Sequence, residues 1–222
     1  MAAEPLLKLR LAGGTRATLR LAADATVLAV EETHVSSYDL SGRPYVLSRG
    51  DLTYRRALDD RLLVKGAGPD GRRVRELLDP EAASETVEAA RSEATRAAKA
   101  VARLADPAAR EARRRLERIV AADAAALSAD AARYAATWRR VGILPPDQYL
   151  AVVLDLTEGC SWNECRFCDL YRGIPFHVKT PEELLAHAAA VRAFFGDSIA
   201  LRRTLFLGAA NEIGRASCRE RV

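Results

Sequence analysis

The 222 residues carry 34 Lys and Arg against 30 Asp and Glu, a net charge of +4, with 49% hydrophobic residues and 6% aromatics. That length suits one medium domain or two small ones, and the N-terminal MAAEPLLKLRLAGG, whose leucines alternate with charge, does not read as a secretory leader. With no apolar run near the ~20 residues of a membrane span, and no dense basic run interleaved with aromatics, the expectation is a soluble cytoplasmic protein with neither a membrane nor a nucleic acid as partner.

Residues 1–66 read as a β-rich region. The stretches LLKLRLA, RATLRLA and TVLAVEETHV alternate apolar with polar residues between Gly-Gly and Asp-containing turns. YDLSGRPYVLS reads as a hairpin, two extended arms around a Ser-Gly turn. Residues 67–147 read as a helical region. Asp79-Pro80 and Asp106-Pro107 are helix starts with proline in the first turn. Between 81 and 136, 23 of 56 residues are alanine, so helix propensity is high while each side chain buries little area. These helices are expected to act as a cover or spacer, docked by scattered Leu, Ile, Val, Tyr and Trp. GILPPDQY then breaks the helix.

From residue 148 the pattern changes. YLAVVLDL, within a strand expected at 149–156, is a continuous apolar β-branched run of the kind buried on both faces of a parallel sheet. TPEELLAHAAAVRAFFG reads as a helix over 181–195, with Thr180 as N-cap, Pro181 at the first position, Glu183 three residues after the cap and Gly196 as the stop. RRTLFLGAAN reads as a second strand over 203–208. Strand, loop, helix, strand is a βαβ unit with its chemistry at the carboxyl end of the first strand.

The tail is of another kind. Ile213 to Val222 is the translation of a common short-read sequencing adapter, ATC GGA AGA GCG TCG TGT AGG GAA AGA GTG, so residues 213–222 are expected to be an artefact joined to a truncated gene. Setting them aside removes Cys218, three arginines and one glutamate, which lowers the net charge from +4 to +2. The natural part of the chain, on this reading, continues beyond what is given.

Cys160, Cys165 and Cys168 stand in a C-x4-C-x2-C spacing within LDLTEGCSWNECRFCDLY. In a reducing compartment, clustered cysteines read as metal-binding or catalytic. A structural zinc site needs a fourth ligand, for which His177 or His187 is available, and a zinc-binding interaction module is the alternative. An electron-transfer ferredoxin-like domain would need a fourth nearby cysteine. Four-iron clusters are normally held by four thiolates, so three leave one iron open to a chelating molecule.

The three-cysteine loop after an apolar strand, with an aromatic residue just before the last cysteine, resembles that of the radical S-adenosylmethionine enzymes. The usual spacing there has one residue fewer between the first pair. The string TEGCSWNECRFCDLYRGIPFHVKT is similar to a subgroup of bacterial and archaeal radical S-adenosylmethionine domain proteins with the longer spacing. The resemblance covers about residues 148–211. It implies an α/β fold in which 148–212 open a partial βα barrel behind the β-rich and Ala-rich helical regions. It implies that Cys160, Cys165 and Cys168 ligate a 4Fe–4S cluster, and that Phe167 packs near the adenine of S-adenosylmethionine. Gly208, Ala209 and Ala210 take the place of a Gly-Gly-Glu segment whose backbone binds the methionyl ammonium, here without its acidic residue. The implied chemistry is one-electron reductive cleavage of S-adenosylmethionine to a 5′-deoxyadenosyl radical that abstracts hydrogen from a substrate. A flavodoxin- or ferredoxin-like protein is the implied electron donor.

Overall fold

The computed structural model describes residues 4–68, 70–142, 144–166 and 168–208. The chain divides into two units, Met1–Ala132 and Arg133–Val222.

The first unit is built on one antiparallel meander. Its strands are β1 (Leu6–Arg10), β2 (Arg16–Leu21), β3 (Ala25–Val30), β4 (His34–Asp39), β5 (Pro44–Arg49), β6 (Leu52–Arg56), β7 (Leu62–Ala67) and β8 (Arg73–Leu77), hydrogen-bonded in sequence order. Alternation sets which side each residue takes. In β2, Ala17, Leu19 and Leu21 are buried while Arg16 and Arg20 are exposed. Across the sheet Leu7, Leu19, Leu28, Ser36 and Leu47 align on the covered face.

Two helices supply that cover, α1 (Pro80–Val101) and α2 (Ala109–Ala121). Asp79 caps α1, its carboxylate accepting from the Ala82 N–H at 2.9 Å. The buried positions of α1 are Ala90, Ala94, Ala97 and Val101. Alanine there brings the helix backbone close enough for the buried Tyr38 hydroxyl of β4 to donate to the Ala90 carbonyl at 3.1 Å. Leu116 and Ile119 of α2 complete a core shared with Leu7, Leu19, Leu28 and Tyr38. The expected helical cover is therefore present. The expected helical region from 67 nevertheless contains a strand. β8, RVREL, is a polar edge strand whose single apolar residues alternate with charge, too weak a pattern to read ahead of its pairing with β7.

A third helix, α3 (Ala124–Thr137), crosses the division between the units. The second unit then contains β9 (Val152–Leu154), β10 (Thr157–Glu158), β11 (His177–Val178), α4 (Pro181–Phe195) and β12 (Leu205–Leu207). Helix α4 matches the expected 181–195. Thr180 Oγ1 accepts from the Glu183 N–H at 3.2 Å, and Glu183 Oε2 accepts from the Thr180 N–H at 2.7 Å, a reciprocal cap. His187, Val191, Phe194 and Phe195 are buried, and the Trp138 ring lies 5.3 Å from Phe194 and 5.8 Å from Phe195. By length and composition alone, Pro181–Leu201 would reach across a membrane, with a mean hydropathy of 1.3 in its apolar window.

The expected opening of a βα barrel is corrected by this arrangement. The large sheet is the antiparallel one of eight strands, followed by helices, and among the described residues no barrel closes. β9 and β12 do pair in parallel, Leu205 with Val152 and Leu207 with Leu154, but their sheet has two strands of three residues. The apolar run at 149–156 suggested burial on both faces. Only Val153 of β9 is fully buried, while Tyr149 and Leu150 are exposed. A continuous apolar run does not distinguish a strand covered on one face from one covered on two.

Candidate metal centre

The cysteine loop begins where β9 ends. β9 leads through Asp155 and Leu156 into β10, which pairs antiparallel with β11, Thr157 opposite Val178 and Glu158 opposite His177. This short ladder ties the two ends of the intervening loop together. Gly159 closes it further. Its φ is +67°, and a Cβ there would stand 2.7 Å from the Ile174 carbonyl oxygen and 2.8 Å from that of Pro175. Only glycine allows that approach.

Within the loop Asn163 adopts φ +49°, a left-handed conformation that asparagine tolerates. Its Nδ2 donates to the Tyr171 carbonyl at 3.1 Å, clipping the first half of the loop to the second. Arg172 Nη2 donates to the Cys165 carbonyl at 3.4 Å, and Arg140 Nη1 donates to the Leu170 carbonyl. Tyr171 is buried and Trp162 is 66% exposed. Beside the ladder, Glu158 is 3.3 Å from Lys179 Nζ and 3.1 Å from Arg139 Nε. The Thr157 hydroxyl is buried with no hydrogen-bond partner among the described residues.

Cys160, Cys165 and Cys168 are all free thiols of intermediate burial. In kind they suit an iron–sulfur cluster: thiolate donors on one short segment, with the loop's ends fixed. They are not gathered for it, since among the described residues no group of three or more His, Cys, Asp or Glu side chains is placed to hold a metal ion.

The two histidines considered as fourth ligands are engaged elsewhere. His177 Nε2 lies 2.8 Å from Glu183 Oε2. The backbone N–H at Asp155 and the Thr180 cap likewise involve α4: Asp155 N–H donates to His187 Nε2 at 3.3 Å. Burial holds the His187 pKa below the usual imidazole range, with Lys179 adding to that and Glu158 opposing it. A neutral ring with its proton on Nδ1 fits this acceptor role. Hydrogen bonds from the Thr180 backbone and from His177 hold the Glu183 carboxyl below its ordinary range.

Gly208 is buried at the carboxyl end of β12, its N–H donating to the Leu154 carbonyl at 2.9 Å. A Cβ there would stand 3.0 Å from Val153 Cγ1. Gly208 and the segment leading to the cysteine loop thus follow the carboxyl ends of adjacent parallel strands. Phe167, Ala209, Ala210 and residues 213–222 lie outside the described residues. Gly159, which shapes the loop, was not singled out from the sequence, and Asn163 figured there only as one position of the motif string. A Gly directly before the first cysteine and an Asn between the first two were the available signals.

No family model, no curated protein and no solved structure matches this chain.

Proposed function

We propose that this chain is part of a radical S-adenosylmethionine enzyme, with Cys160, Cys165 and Cys168 as the ligands of a 4Fe–4S cluster. The observation that carries the reading is three free, half-buried thiols within nine positions, on one loop whose ends β10 and β11 hold together. Gly173 in the same loop has φ +77°, and a Cβ there would meet nothing within 4 Å. When bound, the cluster supplies an electron from a flavodoxin- or ferredoxin-like donor to S-adenosylmethionine, whose reductive cleavage provides the radical for hydrogen abstraction.

The chain's own contribution is to bind and orient. Asn163 and Arg172 brace the loop through backbone carbonyls. Gly208 offers a backbone without a Cβ at the end of β12, where Ala209 and Ala210 follow, for the methionyl end of the cofactor. By the resemblance, Phe167 would be the residue near the adenine. Zinc is the alternative occupant of the same thiols, with His177 or His187 as the fourth ligand.

The test is paramagnetic resonance of the full chain, loaded with iron and sulfide under nitrogen and reduced. Adding S-adenosylmethionine should perturb the cluster signal, because its amino and carboxylate groups reach the open iron. A colourless protein that takes up zinc, and loses it on His177→Ala, would replace this proposal with the zinc module.

A further inference from the structure

Strand register gathers charges that lie dispersed along the chain. Residues directly opposite in an antiparallel ladder share a face. On the face turned away from α1 and α2, one cross-strand row runs Lys8, Thr18, Ala29, Val35, Ser48, Thr53, Lys65, Arg75. The neighbouring row carries Arg20 on β2 and Arg55 on β6, and Arg10 pairs with Arg16 beside them.

The cations form two rims. Lys8, Arg10, Arg16 and Arg20 lie on β1 and β2; Arg55, Lys65, Arg73 and Arg75 lie on β6 to β8. All eight are exposed. Arg20 has Glu4 at 3.6 Å, and the other seven have no ion pair among the described residues. Among the described residues, Asp39 at the end of β4 is the one acid that strand alternation places on this side; it is 7% exposed, and its carboxylate accepts from the Ser41 and Arg43 backbone N–H groups, while Asp24, in the β2–β3 turn, lies near enough to act electrostatically on Tyr45. Glu31, Glu32 and Asp51 belong to turns at the sheet's end. Between the rims, β3 to β5 present small, half-buried Val27, Ala29, Val35, Ser37, Val46 and Ser48.

We propose that this face docks double-stranded nucleic acid through its phosphates, one strand on each rim, without reading bases. The proposal does not depend on the reading of the cysteine loop. From β2 to β6 are four interstrand steps, about 19 Å along the sheet, a span suited to the two backbones of a duplex. Small side chains between the rims let the duplex approach. Single strands are held by aromatic platforms on which bases stack, and Tyr45, half-buried beside Ser37, is the one aromatic on this face among the described residues.

The experiment measures binding of the full chain to labelled mixed-sequence DNA and RNA duplexes over a range of salt, with the matching single strand and anionic phospholipid vesicles as separate arms. Duplex binding should weaken on the order of 10⁴-fold between about 50 and 200 mM salt, with a log–log slope of about −0.9 per phosphate neutralised. Changing Lys8, Arg10, Arg16 and Arg20 to Gln, or Arg55, Lys65, Arg73 and Arg75 to Gln, should each flatten that slope by about 3 to 4. Removing the same charge from the helical side (Lys99 on α1, Arg103 in the turn after it, and Arg110 and Arg113 on α2, each to Gln) should leave most of the slope intact. Where a rim variant fails to unfold cooperatively, the single changes Arg16→Gln and Arg75→Gln are read instead, each expected to flatten the slope by about 1. No salt-dependent duplex binding, equal loss in the helix variant, tighter binding to the single strand, or binding to vesicles alone would overturn the proposal.

Discussion

Gly159 and Asn163 show how much of the cysteine loop depends on two backbone positions. Gly159→Ala adds strain at φ +67° and drives a Cβ to 2.7 Å from a carbonyl oxygen, a cost of roughly 1–3 kcal/mol. Both tryptophans, Trp138 and Trp162, lie in the second unit, so denaturant unfolding followed by their fluorescence should shift by that amount. Unchanged unfolding would mean that the loop relaxes freely. Asn163→Asp keeps tolerance for the left-handed backbone but removes the donor to Tyr171, and is expected to cost about 1 kcal/mol. Asn163→Gly separates the two effects, since it relieves the backbone while also losing the clip. His187 gives the pH dependence its sign. Its folded pKa lies below the ordinary value of about 6.5, so below that pH the unfolded chain binds the proton first. The stability His187 contributes is complete above the unfolded pKa and declines as pH falls toward the folded one. In the same fluorescence assay, His187→Gln should flatten the fall in unfolding midpoint between neutral and mildly acidic pH. An unaltered pH profile would show that other groups govern it.

Among the elements, those with local signals were legible and those defined by pairing were not. Helix α4 could be bounded because Thr180, Pro181, Glu183 and Gly196 mark its ends chemically. The alternation of β1 to β4 was visible for the same reason, each residue's side being decided by its neighbours. β8 escaped because RVREL has little apolar content, and its strand state rests on hydrogen bonds to β7. β9 was recognised as a strand, but its surroundings were over-read: the sequence shows that Val152, Val153 and Leu154 are apolar, not how many faces are covered. The exposure that results is testable. Leu205 and Leu207 on β12 are 59% and 51% exposed, and apolar edge strands promote association. Leu205→Lys with Leu207→Glu should reduce concentration-dependent association in light scattering. Association at the wild-type level would place the sticky surface elsewhere. At the other end of the chain, Asp79→Ala removes the α1 cap and should cost about 1 kcal/mol of first-unit stability, measured by far-ultraviolet circular dichroism on denaturant titration.

At the scale of the whole molecule, the linear sequence hid the distribution of charge. Lys8 and Arg75 are 67 positions apart in the chain, yet the same cross-strand row carries both, and only the eight-strand register aligns them. The cysteine triad is the opposite case, legible at once because its spacing is local, while the bracing by Gly159, Asn163 and Arg172 depends on chain reversal. The central claim is that these three thiols hold an iron–sulfur cluster. Its most direct test is iron and acid-labile sulfide per chain after anaerobic loading, for the unaltered chain and for four single variants. The unaltered chain should hold about four of each, and Cys160→Ala, Cys165→Ala and Cys168→Ala should each lose nearly all of both, while Cys218→Ala, outside the three-cysteine loop, should match the unaltered chain. Zinc without sulfide in the unaltered chain, or full iron and sulfide retained by any of the first three variants, would contradict the account.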